Sequence, residues 1–467
     1  MQSRGDIRYR LTCKLDRDTN NNLLSQFLSV HYTASMSNLT THITTFNCGR
    51  ELPSTSHLAS ELFNSSPTLP PDLIVLCLQE IAPIGYAFLG GSFLAPYFSK
   101  LSEIVRHAVS KRFESNADYI PLLVRNAGMT GLMVFARSDV QDKIRWIETA
   151  EVGVGMYEMG NKGAVGARLG FAGEDDETVP VTFVSAHLAP MEDQCERRNA
   201  DWQSICEGLV FTREEADTTR SDEDSQPLLN SASANARDNT SKHTLFSPFS
   251  HVFFAGDLNY RTADTPPSTT DHQIWPHPTS DPNHPSYRDL WANDQLNREL
   301  RNKNTLHLLT EAPVAFPPTY KYSNAAKNSA KHGKPLPSGG RDEHQSWPWA
   351  KHRVPSWCDR ILFLAGGKAN VDVHSYDALS VQPTSDHRPV TMSVTIPLRR
   401  PELAADVKPP FKMRKDWRER RAVARRYEVL VGIASYLALT WEGEALLVAT
   451  IAGILGGYVA LRAMLAN

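Results

Sequence analysis

The sequence predicts an α/β domain with an apolar helical tail behind it, and three observations carry that reading. Seven short runs rich in β-branched and aromatic residues read as buried strands: 42–48, 72–78, 131–136, 179–185, 251–256, 361–364 and 390–396. Helical stretches such as 101–113 and 199–210 lie between them, and this alternation indicates an α/β domain over residues 38–398. Past residue 410 the composition changes, first to a basic run and then to an apolar one.

The bulk composition fits that division. Of 467 residues, 41% are hydrophobic and 22% charged, an ordinary globular balance with enough apolar material for a sizeable core. The net charge of −3 hides an asymmetry: residues 411–467 hold nine Lys/Arg against five Asp/Glu, which leaves 40 against 47 in residues 1–410. A net acidic body argues against nucleic acid as a partner, because non-specific binding runs on phosphate neutralisation. The six cysteines form no C-x-x-C pair, so neither a zinc site nor a redox motif is indicated. Cys48 and Cys77 stand in apolar runs and read as buried thiols of a reducing compartment.

Residues 1–37 are mostly polar and read as a poorly ordered extension, and 1–22 lack the apolar core of a secretory signal. The first strand closes on Phe46-Asn47-Cys48-Gly49 and the second on Gln79-Glu80. A carboxylate ending a buried strand suits a hard cation such as Mg²⁺, which takes one or two carboxylates beside water and phosphate. A residue that only solvates a strand end is the plainer alternative. Gly160-Asn161-Lys162-Gly163 would let backbone and an ammonium approach a phosphate together, although a turn with a solvated lysine explains a lone match. Ser185-Ala186-His187-Leu188 again follows an apolar strand. Residues 211–247 are acidic and Ser/Asn-rich and read as a disordered insertion.

The segment Gly256-Asp257-Leu258-Asn259-Tyr260-Arg261 sets an acceptor and an amide two residues apart. An extended chain would point both to one face, where they could hold and orient a water. Residues 262–287 read as an irregular loop. Pro318-Thr319-Tyr320-Lys321 and the run from Lys351 to Arg360 supply Lys321, Lys351, Arg353 and Arg360, a basic cluster suited to several phosphate groups. Ser385-Asp386-His387-Arg388 opens the last strand, with Asp359 the candidate to fix the tautomer of His387.

Taken in order, GDLNYR at 256–261, PTYK at 318–321, PSWCDRIL at 355–362 and SDHRPV at 385–390 resemble the motifs of the inositol polyphosphate 5-phosphatases. These form a branch of the endonuclease/exonuclease/phosphatase superfamily. The resemblance covers residues 40–398 and implies two packed mixed β-sheets flanked by helices in four layers. It implies Mg²⁺ on Glu80, helped by Asn47 and Asp386. Asp257 would activate the attacking water with Asn259 helping to place it, and His387, oriented by Asp359, would contact the scissile phosphate. His187 would stabilise charge on the phosphate oxygens. Tyr320, Lys321, Lys351 and Arg353 match contacts to a neighbouring 4-phosphate, and Asn161 and Lys162 lie in a loop near the 1-phosphate side. Phe46 and Phe254 stand where the family usually has Trp, and Ser185-Ala186 replaces the usual Asn-Ser.

The implied activity is Mg²⁺-dependent removal of the 5-phosphate from phosphatidylinositol 4,5-bisphosphate, with the 3,4,5-trisphosphate and soluble inositol polyphosphates as further substrates. The alternatives are a catalytically silent phosphoinositide-binding scaffold and a superfamily nuclease. A monomer is expected, with phosphoinositide headgroups and a membrane as its partners.

Residues 399–427 read as a linker, Pro-rich and then basic, and 428–467 as a membrane-anchor region. Within it 445–461 is uncharged throughout, about 25 Å as a helix and near the lower limit for a bilayer crossing. The basic run on its N-terminal side would keep the domain cytosolic, and the short span suits the endoplasmic reticulum. A helical hairpin packed on the domain, or a re-entrant loop, is the alternative.

Overall fold

A computed structural model describes residues 37–465 apart from 66–67, 114–116, 174–176, 214–242, 279–284, 339–345, 365–369 and 402–407. The first half of the chain runs β1 (Asn38–Asn47), α1 (Thr55–Glu61), β2 (Leu73–Gln79), α2 (Ile84–Leu89), α3 (Ala95–Arg112), β3 (Tyr119–Ala127), β4 (Thr130–Arg137), β5 (Ile144–Gly153), β6 (Gly163–Ala172), β7 (Thr178–His187), α4 (Cys195–Gly208) and β8 (Thr212–Arg213). The second half runs β9 (His251–Asp257), α5 (Pro285–Ala292), α6 (Gln295–Arg301), β10 (Leu309–Glu311), α7 (Asn324–Lys331), β11 (Asp359–Leu364), β12 (Asp372–Ala378), β13 (Val390–Pro397), α8 (Trp417–Leu439) and α9 (Trp441–Leu465).

The strands form two mixed sheets. One has the order β12-β13-β1-β2-β4-β3 and the other β10-β11-β9-β7-β6-β5-β8. Each sheet has one parallel pair, β1 with β2 and β7 with β9. The alternation of side chains along each central strand builds three cores at once. Leu73, Val75 and Cys77 of β2 and Phe253 and Ala255 of β9 face each other between the sheets. Ile74, Leu76 and Leu78 point the other way, onto α1 and α3. Val252 and Phe254 point onto α4. A strand covered on both faces must be apolar at every position, which is why these runs were legible in the sequence. Each fully buried Leu, Ile, Val or Phe contributes about 1.5–3 kcal/mol.

The α/β architecture and the packed mixed sheets are as expected. Phe46 and Phe254 sit in the outer cores, Phe254 edge-on to Trp202 at 5.2 Å, so their replacement of Trp leaves the inter-sheet space unaltered. The expected insertion 211–247 is folded at both ends. Phe211, Leu245 and Phe246 are buried, and Thr212 and Arg213 pair with β5. The part from 214 to 242, like the expected extension before residue 37, lies outside the described residues.

The expected linker 399–427 also needs correction. From Trp417 it is the first half of α8, which packs along α2. The docked stripe of α8 is Ala424, Glu428 and Gly432, spaced four apart on one helix face. Gly85 lies so close to Tyr436 that an added Cβ would stand 2.9 Å from the Tyr436 backbone nitrogen, so glycine is needed there. The separate apolar helix begins not at 428 but with α9, 25 residues long with a mean hydropathy of 1.8 over its most apolar window. Its large apolar side chains from Leu446 to Leu465 are exposed, so α9 is not packed on the domain as the hairpin alternative requires. It is long and apolar enough to cross a membrane.

Candidate active site

The two parallel pairs end at the same place. In the second sheet His187 closes β7, Asp257 closes β9 and Asp359 opens β11; Asp257 is the register partner of both His187 and Asp359. Three candidate side chains thus share one row across three adjacent strands. In the first sheet Asn47 and Gln79 are register partners at the end of β1 and β2, and Glu80 follows at once. Asn47 crosses the gap and its Nδ2 donates to Asp257 Oδ2 at 2.9 Å. Gln79 crosses beside it, donating to Ser185 Oγ at 3.2 Å, and Ser185 in turn donates to the Leu78 carbonyl at 3.3 Å. Ser185, a departure from the family pattern, thereby joins the sheets directly beneath the site.

Local backbone chemistry fixes these ends. Asn47 Oδ1 accepts from Gly49 N at 3.0 Å, and Gly49 holds φ at 65° with Thr384 O only 3.0 Å from where a Cβ would lie. Glu80 and Asn259 hold φ at 46° and 57°, a region side chains enter only where their surroundings over-determine them. Asn259 departs from the extended-chain expectation for this reason. Its Nδ2 donates to the Leu188 carbonyl at 3.1 Å, and its Oδ1 accepts from Arg261. What it offers Asp257 is its backbone N–H, 3.2 Å from Oδ1.

His387 enters from the loop before β13. Its Nδ1 meets Asp359 Oδ2 at 2.8 Å, and its Nε2 is 3.8 Å from Asp257 Oδ2. Thr319 donates to the same Asp359 oxygen at 2.6 Å. His187 Nε2 is 3.2 Å from Asp257 Oδ2 and also touches Lys162 Nζ. Lys162 therefore stands in the same row as His187 and Asp257. Neighbouring Asn161 turns inward, leaving Oδ1 buried without a hydrogen-bond partner among the described residues.

These contacts separate the titrations. Burial works against ionising Asp257, but His387, His187 and Lys162 outweigh it and hold the carboxyl below the usual range. Burial would lower His387, yet Asp359 and Asp257 raise it to about 9. Burial pushes Asp359 up against the opposing pull of His387. Burial and adjacent Lys162 keep His187 below the ordinary histidine value. At neutral pH the row holds an anionic Asp257 between a charged and a neutral imidazole.

The expected phosphate contacts divide. Tyr320 lies on His387 with ring centroids 4.5 Å apart, and the Arg261 guanidinium lies over the Tyr320 ring, 4.4 Å from its centroid. Lys321 Nζ is 2.6 Å from Asp386 Oδ2, and Arg353 Nε is 3.9 Å from Glu192 Oε1. Burial first, then the charges of Lys321 and Arg353, lower His352 against the opposing pull of Glu192 and Asp386. Lys351 is exposed on the same turn. Arg360 does not join this cluster. It follows Asp359 on β11 and so points to the opposite face, where Nε binds Glu311 at 2.7 Å and Nη1 lies 3.3 Å from Asp294.

The sequence reading missed Arg261 and Glu192. Arg261 belongs to the quoted GDLNYR motif, and a buried arginine after Asn259 was a usable signal. Glu192 is fully buried with both carboxylate oxygens lacking hydrogen bonds among the described residues, and nothing in its sequence surroundings marks it.

The fold is a four-layered sandwich with a polar, charge-alternating centre at the joined strand ends. The chain belongs to Endonuclease/Exonuclease/phosphatase family 2, whose model matches residues 44–393. It is 28% identical over 280 residues to phosphatidylinositol 3,4,5-trisphosphate 5-phosphatase 2B of Danio rerio, covering 60% of this chain and 19% of that protein. It is 28% identical over 295 residues to type II inositol 1,4,5-trisphosphate 5-phosphatase of Mus musculus, covering 62% of this chain and 24% of that one. The chain thus spans about a fifth to a quarter of the length of these curated relatives. Among solved structures it resembles the inositol polyphosphate 5-phosphatase domain of SPSynaptojanin in complex with inositol (1,4)-bisphosphate and calcium ion. The TM-score there is 0.54 at 20% identity, over 85% of this chain and 93% of that one, a likeness of fold.

The donors present fit a hard divalent cation. Glu80, Asn47, Asp257 and Asp386 offer carboxylate and amide oxygens, while burial pushes the nearby thiols of Cys48 and Cys358 up and keeps them protonated. Two of the expected ligands have cationic partners, Glu80 with Arg50 at 2.8 Å and Asp386 with Lys321. Among the described residues the metal-sized cluster of His and acid groups is Asp257, Asp359 and His387, whose atoms already bond to one another.

Proposed function

We propose that this chain hydrolyses the 5-phosphate of phosphatidylinositol 4,5-bisphosphate, giving phosphatidylinositol 4-phosphate and phosphate. The reaction requires Mg²⁺ and takes place on the cytosolic face of a membrane, most simply the endoplasmic reticulum. The observation that carries the reading is the row His187, Asp257 and Asp359 across three strands, closed by Asn47 from one side and His387 from the other. The relatives named as 5-phosphatases support the position attacked.

A phosphomonoester is nearly inert in water, so the site must act by positioning and charge neutralisation. Asp257 accepts a hydrogen bond from the attacking water and takes its proton late, since a carboxylate held this anionic is a weak base. Asn47 and the backbone of Asn259 aim both its oxygens. Charged His387, steadied by Asp359, donates to a phosphoryl oxygen, and His187 with Lys162 neutralises charge on the opposite side. We assign the metal to Glu80 and Asn47, with Asp386 joining when its pair with Lys321 opens. Mg²⁺ bound there would polarise a phosphoryl oxygen and steady the leaving alkoxide.

Selectivity for the 5-position follows from Tyr320, Lys321, Lys351 and Arg353. They meet the adjacent 4-phosphate, and a substrate lacking it forgoes those charge-assisted contacts. Helix α9 inserts in the membrane and presents the domain to lipid headgroups at high effective concentration. The test is phosphate release from a panel of phosphoinositides with Mg²⁺ and with chelator. Release from the 4,5-bisphosphate that chelator abolishes is expected. Nicking of abasic DNA without phosphate release would favour a nuclease, and binding without turnover a scaffold.

A further inference from the structure

The helix that leads into α9 reaches back to the catalytic row. Glu428 of α8 is fully buried. One carboxylate oxygen accepts from the backbone N–H of Gly160 at 2.9 Å and from Arg421 Nη1 at 2.9 Å; the other meets Arg425 Nη1 at 3.2 Å. Gly160 opens the segment whose Lys162 touches His187. The loop is tightly packed at this point: an added Cβ on Gly160 would lie 2.7 Å from the backbone of Ala127 and Gly128, and Gly160 O accepts from Met129 N at 2.8 Å. Without Glu428 the Gly160 N–H would be buried with no acceptor.

The rest of α8 and the segment before it brace the same loop and the strand that leads into it. Tyr427 stacks on Tyr157 with centroids 5.0 Å apart, Arg420 of α8 and Arg414 ahead of it bind Glu158, and Arg421 binds Glu151 of β5 at 2.7 Å. Arg425 caps the carbonyl of Leu89 at the end of α2 at 3.1 Å. A single residue, Thr440, separates the last turn of α8 from the start of α9. The family model ends at residue 393, so this brace lies wholly beyond the matched stretch.

We propose that Glu428 is a positioning residue: held on docked α8, it fixes Lys162 against His187 through Gly160. This rests on the proposed phosphatase reading, and the test separates the two. The full chain in detergent and its Glu428→Gln variant are compared, with Glu419→Gln removing an equal charge from the exposed face of α8 as control. A glutamine presents one weaker acceptor to three donors. Amide hydrogen exchange at Gly160 is expected to rise about tenfold or more. With a soluble inositol polyphosphate, kcat is expected to fall about tenfold while KM stays within about twofold, since a small displacement of one charged group suffices for that. The control stays unchanged in both readouts, and kinetics are compared at a temperature where every variant is folded, because Glu428→Gln also breaks a buried ion pair and lowers the melting temperature.

Faster exchange with unaltered kcat overturns the proposal, as does unaltered exchange at Gly160. If the wild-type chain releases no phosphate, the phosphatase reading fails. The brace is then judged on the exchange at Gly160 and on whether it also rises at Lys162; a change confined to Gly160 overturns it.

Discussion

Arg360 offers a decisive check, because its place in the PSWCDRIL motif suggests phosphate binding and its place on β11 forbids it. Arg360 is buried and bonded to Glu311, with Asp294 3.3 Å away. Asp294 also caps α6, accepting from Asn297 N at 2.9 Å. The Arg360→Met variant keeps the stem and removes the charge, leaving two buried or half-buried carboxylates facing one another. Breaking a buried pair by removing one partner costs about 3–5 kcal/mol. At about 2 °C per kcal/mol for a domain of this size, the melting temperature should fall by roughly 6–10 °C. Thermal melts would be read beside steady-state kinetics at a temperature where both proteins are folded. KM for the 4,5-bisphosphate headgroup should be unaltered there. A KM raised tenfold with no fall in melting temperature would refute the strand register that turns Arg360 away from the site.

Other outcomes follow from neighbouring residues. Arg353→Ala and Lys321→Ala should each raise KM for a 4,5-bisphosphate headgroup by roughly 10–100-fold, the weight of a charge-assisted contact. They should do so far less for an analogue lacking the 4-phosphate; equal losses on both would remove the selectivity argument. Burial lowers His42 and His251 to about 4, well below the ordinary 6.5. The unfolded chain therefore takes up protons between those values while the folded chain does not, so stability falls as pH drops through that window. Each histidine should cost roughly 2 kcal/mol between pH 7.5 and 5, read by urea midpoints. Replacing His42 by Gln should remove about half of that slope, and an unchanged slope would contradict its neutral burial. A chain ending at Thr440 should no longer sediment with vesicles yet keep its turnover of soluble substrate, because α8 remains docked. Retained sedimentation would deny α9 its role.

The fold was legible where burial was two-sided. Strands β1, β2, β4, β7, β9, β11 and β13 are buried along most of their length and read as runs rich in β-branched and aromatic residues. Strands β3 and β12 lie at the edges of their sheet, and β12 reads DVHSYDA, with no apolar signature. Strand β6 is central yet carries glycines where large neighbours need space: a Cβ at Gly166 would stand 2.7 Å from the Phe211 ring, and one at Gly170 2.3 Å from Trp146. Small residues chosen for packing erase the strand signal.

The site was legible in its parts because its residues stand at strand ends inside short motifs. Their pairing was partly foreseeable: Asp359 with His387 follows from the motifs. The placement of Lys162 beside His187 depends on β6 and β7 pairing through their whole length, and the turning away of Arg360 depends on register. Asn259 fell outside the extended-chain expectation because its φ is positive. The link from Glu428 to Gly160 joins residues 268 apart, and a basic run followed by an apolar one gives no sign of it.

The most direct test of the central claim is to identify which phosphate leaves. The phosphatidylinositol 4,5-bisphosphate headgroup would be incubated with Mg²⁺ and followed by ³¹P NMR, with wild-type chain and with Asp257→Asn. Loss of the 5-phosphate resonance alone, slowed at least about 10²-fold by Asp257→Asn, is predicted for a group that aims the attacking water. Loss of the 4-phosphate instead, or an Asp257→Asn chain as fast as the wild type, would contradict the account.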